Sequence, residues 1–217
     1  MPTMQQTKTP SATLSATADA PRRGRPRSER SHRAILSAAG ELMLERGLSE
    51  ISMDAVAERA AVSKATIYRW WPSKELLVLD ALLSEWGAGA PDAVDTGSLG
   101  GDLRALVLPW IRQLTARPYG RVISALIARA QTDPQFAEEY RAHFVALRRE
   151  PARVVFQRAC EREEIPAGTN IDAALDLLYG PVYHRLLHGH APLSESFART
   201  IVDYVVAAVS APEEVCR

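Results

Sequence analysis

The sequence predicts an all-α protein, and three observations carry that reading. Apolar residues recur at helical spacing in one segment after another. Helix-capping residues (Ser, Asp, Asn) stand directly before several of those segments. No stretch alternates apolar and polar residues as a half-buried strand would, and no internal repeat occurs. The chain has 217 residues, 47% apolar and 24% charged. Such a composition suits a soluble globular protein, and the length allows one or two domains with a substantial core. About nine helices are expected.

Met1 to Ala20 is rich in Thr, Ser, Ala, Pro and Gln. It has no apolar run fit for a signal-peptide core, and residues 1–20 are expected to be a disordered tail. Nothing later is long and apolar enough to span a membrane. Pro21 to Arg27 reads PRRGRPR, a helix-hostile, extended basic arm. Its core, Arg23-Gly24-Arg25-Pro26, resembles an AT-hook. A narrow A·T-rich minor groove concentrates negative potential, which attracts Arg. Arg23, Arg25 and Arg27 are therefore candidates for minor-groove or phosphate contact. Ser28 to Arg46 repeats Ile35, Ala38, Ala39, Leu42 and Met43 at helical spacing, with Gly47 just beyond its end. Leu48 and Ile51 pack back on it.

Ser52 is a good N-cap, and Asp54 puts a negative charge in the first turn of the next helix, where the helix dipole favours it. Ala55, Val56, Ala60 and Val62 give this helix a small apolar face. Ser63 caps a second short helix, Lys64 to Trp70. Pro72 cannot continue it, and Ser73 opens another. Helices this short are unstable alone, so packing of Val56, Ile67 and Trp71 is expected to hold them. The second helix turns Lys64, Ala65, Tyr68 and Arg69 to one side. Lys64 can neutralise a phosphate and Tyr68 can donate its hydroxyl to one, while the small Ala65 lets the helix approach base edges. Lys74 adds a phosphate contact, and Ser52, Ser63, Thr66 and Trp70 complete the expected set. This is the profile of a recognition helix in a major groove. Formal net charge is zero, which argues against wholesale nucleic-acid coating, yet residues 20–74 hold 11 Arg and Lys against 6 Asp and Glu. Residues 87–217 hold 14 against 16, so a basic module precedes a slightly acidic remainder.

The run AAVSKATIYRWWPSKE, Ala60 to Glu75, resembles the DNA-binding signature of the tetracycline-repressor (TetR) family of bacterial regulators. The match reaches back through Arg33 and Met53, covering the region from Arg25 to Leu83. One position departs: the family usually has Gly in the turn where this chain has Ala61. A left-handed conformation there costs Ala about 1 kcal/mol. The resemblance implies a homodimeric repressor, released from a palindromic double-stranded operator by a small molecule, in the bacterial cytoplasm and associated with the nucleoid. It also implies a three-helix helix-turn-helix DNA-binding domain with its basic arm, residues 21–78, and a helical ligand-binding and dimerisation domain, residues 79–217. The two meet inside the helix Ser73 to Trp86, which in this family acts as a lever between them. Too many of its residues are apolar for one face (Leu76, Leu77, Leu79, Leu82, Leu83), so burial on more than one side is expected.

Gly87 to Gly101 reads as loop. Helices follow over Asp102 to Ala116, from Pro118, from Pro134 (capped by Asp133) to Arg162 with a kink or break expected at Pro151, over Ile171 to Gly189 (capped by Asn170) and over Glu195 to Val209 (capped by Ser194). The last two have broad apolar faces. The resemblance implies that they form a four-helix dimer interface through Leu175, Leu178, Val182, Leu186, Ile201, Tyr204 and Val205. Trp86, Trp110, Phe144, Tyr179, Tyr183 and His184 are candidates to line an apolar cavity with a few polar handles, suited to an apolar or aromatic small molecule. No Gly-rich phosphate loop, nucleophile elbow or paired-carboxylate arrangement occurs, so the chain is not read as an enzyme. His184 and His188 stand at i, i+4 with His190 near, but no Glu or Cys has matching spacing, and neither metal nor cofactor is expected. Cys160 and Cys216 lie far apart, which fits a reducing compartment. The alternative function is a DNA-binding interaction protein regulated by a protein partner, or bound constitutively.

Overall fold

The computed structural model describes residues 25–85, 94–116 and 118–210, without the side chains of 25–28 and 116. The expected tail, Arg23 and Trp86 lie outside the described residues. The helices are α1 Arg25–Arg46, α2 Met53–Arg59, α3 Lys64–Tyr68, α4 Lys74–Glu85, α5 Leu99–Ala116, α6 Tyr119–Thr132, α7 Pro134–Tyr140, α8 Ala146–Glu161, α9 Ile171–His188 and α10 Glu195–Ser210. A 3-10 turn, Leu48–Glu50, links α1 to α2, and a π turn, Arg141–Val145, fuses α7 and α8 into one rod. The described residues thus form nine helical rods and no strand.

Local chemistry explains most boundaries. Side chains of Ser52, Ser63, Asp133 and Asn170 each accept from a backbone N–H three residues on, as N-caps do. Ser73 and Ser194 do the same for Leu76 and Phe197. Three expectations need correction. The arm is not extended throughout: the α1 backbone is helical from Arg25, so Pro26 stands in the first turn, where its missing N–H costs nothing. The loop before α5 ends three residues early. Ser98 Oγ accepts from Gly101 N, and Glu164 Oε2 accepts from Leu99 N at 2.7 Å, which offsets the two glycines in that turn. The irregularity assigned to Pro151 falls upstream, where the Ala146 N–H reaches back to the Arg141 carbonyl. Helix α8 runs through Pro151; the ring frees the carbonyl of Leu147, a residue on the solvent side where water can satisfy it.

In the N-terminal module α4 lies along α1, α2 packs on α1, and α3 packs on α2. In the remainder α10 lies along α5 and α9, α8 packs against both α5 and α9, and α6 against α5 and α7. Leu77, Val78, Leu79, Ala81 and Leu82 of α4 are all buried, on more than one side as expected. One charged residue lies fully inside among the described residues, Asp102. It accepts from Thr96 N at 2.6 Å, from Thr96 Oγ1 at 2.7 Å and from Arg162 at 3.1 Å, tying the segment before α5 to the end of α8. Burial raises its carboxyl pKa, but the Thr96 and Arg162 hydrogen bonds outweigh that and hold it below the usual range.

Candidate nucleic-acid interface and ligand cavity

Helices α2 and α3 make a helix-turn-helix whose inner side is closed. Val56 and Ile67 are fully buried and Trp71 nearly so. Trp71 donates its indole N–H to Asp80 of α4 at 2.7 Å, and Arg59 binds Glu45 of α1 through both nitrogens at 2.7 and 3.0 Å. The turn between the helices is a Schellman motif: Val62 N bonds the Ala57 carbonyl and Ala61 N the Glu58 carbonyl. That geometry needs a left-handed residue, and Ala61 has φ 52°. Alanine therefore carries here the strain that glycine would avoid.

The outer side of α3 is open. Ser63, Lys64, Ala65, Tyr68, Arg69 and Trp70 are exposed, and Tyr68 shows half of its surface. Lys64 Nζ sits 2.5 Å from Asp54, which raises its pKa and keeps the ammonium charged. Ser52 is also exposed at the start of α2. Thr66 is half-buried, and its hydroxyl lies 2.9 Å from Ser63 Oγ, within the cap. Trp70 stacks edge-on against His32 at 4.9 Å, so α1 supports it. Arg25 and Arg27 belong to the first turn of α1, and their side chains lie outside the described set.

Lys74 does not join that outer face. Its Nζ turns inward to the carbonyls of Leu48 and Ile51, at 3.4 and 3.3 Å, on either side of the approach to α2. A half-buried ammonium finds its partners in the carbonyls left open by the 3-10 turn. Its role in this conformation is to fasten α4 to the helix-turn-helix. Lysine followed by Glu at the start of a helix does not reveal which way the amine points, so spacing alone misplaced it.

The expected pairing face also needs correction. Leu175, Leu178, Val182, Ile201 and Val205 are buried in the chain's own core, and Leu186 is half-buried on α6 beside Gly120. Of the expected set Tyr204 is exposed, at 73%. The outward side of α9 carries Ala173, Leu177, Gly180, His184 and His188, and that of α10 carries Thr200, Tyr204, Ala207 and Ala208. Leu177 is 52% exposed. Sequence periodicity picked out the inner apolar stripes of these helices and assigned them to pairing, and it did not pick out Leu177 or Ala207 on the outer side.

A cavity of ≈ 410 Å³ lies beside α9, between α6, the π turn and α8. Tyr179 and Tyr183 line it as expected, together with Tyr140, Arg148, Ile127 and Leu187. Trp110 packs behind that wall, its ring 5.3 Å from Tyr179 and 5.7 Å from Tyr183. Phe144 is buried and stacks on Tyr140 at 5.1 Å. Both therefore back the cavity without lining it. His184 points away, clustering with His188 and His190 at ring separations of 4.6 and 4.9 Å. Among the described residues no group of three His, Cys, Asp or Glu side chains is arranged to hold a metal ion. Tyr140 and Arg148 were missed because the sequence flags neither: one reads as core, the other as a solvated charge. Helix α4 does not touch the cavity. It meets α7, which carries Tyr140, and Glu85 accepts from the Tyr119 hydroxyl at 3.2 Å.

A buried-backed helix-turn-helix with a basic, open second helix, set on a helical body with its own cavity, defines a DNA-binding regulator. Residues 35–81 match the family model described as bacterial regulatory proteins, tetR family, and residues 93–205 match that of the tetracyclin repressor-like C-terminal domain. The chain belongs to the TetR family of transcriptional regulators and is not an enzyme. It is 41% identical over 181 residues to the uncharacterised HTH-type transcriptional regulator YdeS of Bacillus subtilis, covering 83% of this chain and 90% of that protein. It is 31% identical to the DNA-binding transcriptional repressor TetR of Mycobacteroides abscessus, over 86% of this chain and 97% of that one. A solved TetR-family transcription regulator superposes with TM-score 0.74 at 34% identity, covering 84% of this chain and all of the other. No described helix is long and apolar enough to cross a membrane.

Proposed function

We propose that the protein is a cytoplasmic, homodimeric repressor that leaves a palindromic operator when a small molecule occupies the cavity beside α9. The observation that carries the DNA half is the two-sided character of α3, closed by Ile67 within and open through Lys64, Ala65, Tyr68 and Arg69 without. Five residues read too few base pairs for specificity, so two copies related by a two-fold axis must share the work. The outward stripe of Leu177, Gly180, Tyr204 and Ala207 is the surface for that pairing. The cavity adjoins it: Gly180 belongs to both. A bound ligand would press on Tyr140, hence on α7 and α4, and Lys74 would carry the movement to the carbonyls before α2. Changed spacing between the two α3 helices would then spoil the fit to successive major grooves.

Such coupling is typically worth ~1–3 kcal/mol and is reciprocal. Calorimetric titration of a ligand found by thermal shift, with and without saturating operator, tests it. Weaker ligand binding on the operator complex is expected. Equal affinity would remove the inducer role for that ligand, and tighter binding would make it a corepressor.

A further inference from the structure

The polar groups around the cavity are nearly all donors. Tyr140 and Tyr183 line it, and neither hydroxyl has a hydrogen-bond partner among the described residues. Burial pushes the Tyr183 hydroxyl pKa up to about 12 and that of Tyr140 upward as well, so both keep their protons. The Tyr179 hydroxyl is already committed, donating to the Arg148 carbonyl at 2.9 Å. Behind this wall the Trp110 indole N–H is buried with no acceptor among the described residues. The Arg148 guanidinium lies 5.4 Å from the Trp110 ring centroid and 6.0 Å from that of Phe144, between aromatic surfaces. Asp176 is the one carboxylate among the described residues of the lining, and it is held by Arg149 at 2.5 Å. Arg149 is shared between Asp172 and Asp176, and the remaining surface of the lining is apolar.

We propose that the cavity selects an amphipathic organic acid, an aromatic body whose carboxylate meets the Arg148 guanidinium and the Tyr183 hydroxyl. This deepens, and rests on, the reading of the cavity as the ligand site. A carboxylate is acceptor-only and supplies what the wall lacks, whereas a neutral hydrocarbon would leave phenol donors covered and unmet. An organic cation would face the Arg148 guanidinium. At roughly 30 Å³ per water-sized group the volume holds on the order of a dozen non-hydrogen atoms, the size of a two-ring acid.

The test uses the full-length protein and two probes of the same shape, 1-naphthoic acid and its neutral amide, titrated calorimetrically at neutral pH. The acid is expected to bind about tenfold more tightly or better, since a charge-assisted pair is the stronger. Arg148→Met should erase that preference and leave the amide within about twofold. Arg148 also packs on Trp110, so Tyr183→Phe serves as the second variant, keeping the ring and removing one donor; it should weaken the acid several-fold and the amide less. Amide binding equal to or tighter than the acid in the wild type overturns the anionic assignment and leaves the cavity a ligand site. Failure of both probes to bind at millimolar concentration overturns the assignment and the cavity reading together. A preference for the acid that survives both substitutions places the acid elsewhere and overturns the proposal as well.

Discussion

The N-terminal module and the C-terminal body solve opposite problems. In the module, helices of five and seven residues must stand firm while one face stays open to a partner. Caps, a Schellman turn and cross-helix pairs such as Arg59–Glu45 provide the firmness, and the outward side chains remain polar and exposed. In the body, helices of up to 18 residues are capped too, as at Asn170, but rest on a broad buried core. Polar groups are instead tied down in clusters, Asp102 with Thr96 and Arg162, or Arg149 with Asp172 and Asp176. Among its exposed residues the body leaves large apolar side chains outward at Leu177 and Tyr204. Polar exposure suits DNA and apolar exposure suits a second copy, so the two surfaces are separable by mutation.

The sharpest break of the body alone is Asp102→Asn. Removing one member of a buried charged cluster should cost about 3 kcal/mol of stability, read from urea unfolding. Acid should reproduce it in the wild type. The depressed carboxyl contributes stability that is fully present above the ordinary aspartate value of 3.8 and is lost as pH falls through its lower folded value. The stability difference between wild type and Asp102→Asn should therefore shrink below pH ~4.

Next in size is a contrast within α9. Leu178→Ala, in the core, should lower stability by about 2–5 kcal/mol through the cavity it leaves. Leu177→Glu, one residue earlier, should change stability by less than about 0.5 kcal/mol per monomer and yield monomers in sedimentation velocity. If Leu177→Glu sediments as a dimer, the outward stripe is not the pairing surface.

Ala65→Leu should leave the melting curve in place and weaken operator binding by about 1–3 kcal/mol, the cost of one lost base contact, as read by fluorescence anisotropy. The smallest effect belongs to the turn. Ala61→Gly removes left-handed strain but loosens the unfolded chain, for a net gain of about 1 kcal/mol or less, measurable in the same urea experiment.

The same contrast explains what the sequence disclosed. Ser52, Ser63, Asp133 and Asn170 were legible as caps because a cap is a local event, decided within four residues. The left-handed Ala61 was legible only through the family resemblance, which places Gly at that turn position. The buried trio Val56, Ile67 and Trp71 followed from the need to hold short helices. Faces were harder. Leu175 and Leu177 are both leucines on one helix, and only the position of α10 and α8 decides which is inside. Lys74 and Arg148 were misjudged or missed for the same reason, since a long cationic side chain can turn to carbonyls or aromatic rings that the sequence does not reveal as neighbours.

The central claim is that two copies of α3 read one two-fold operator. Selection of bound sites from random DNA duplexes by the full-length protein tests it most directly. The expected outcome is an inverted repeat whose half-site centres lie about one helical turn, ~34–36 Å, or a multiple of it apart, lost when Ala65→Leu replaces the wild type. Enrichment of an unsymmetrical site, or the same inverted repeat recovered with Ala65→Leu, would contradict it.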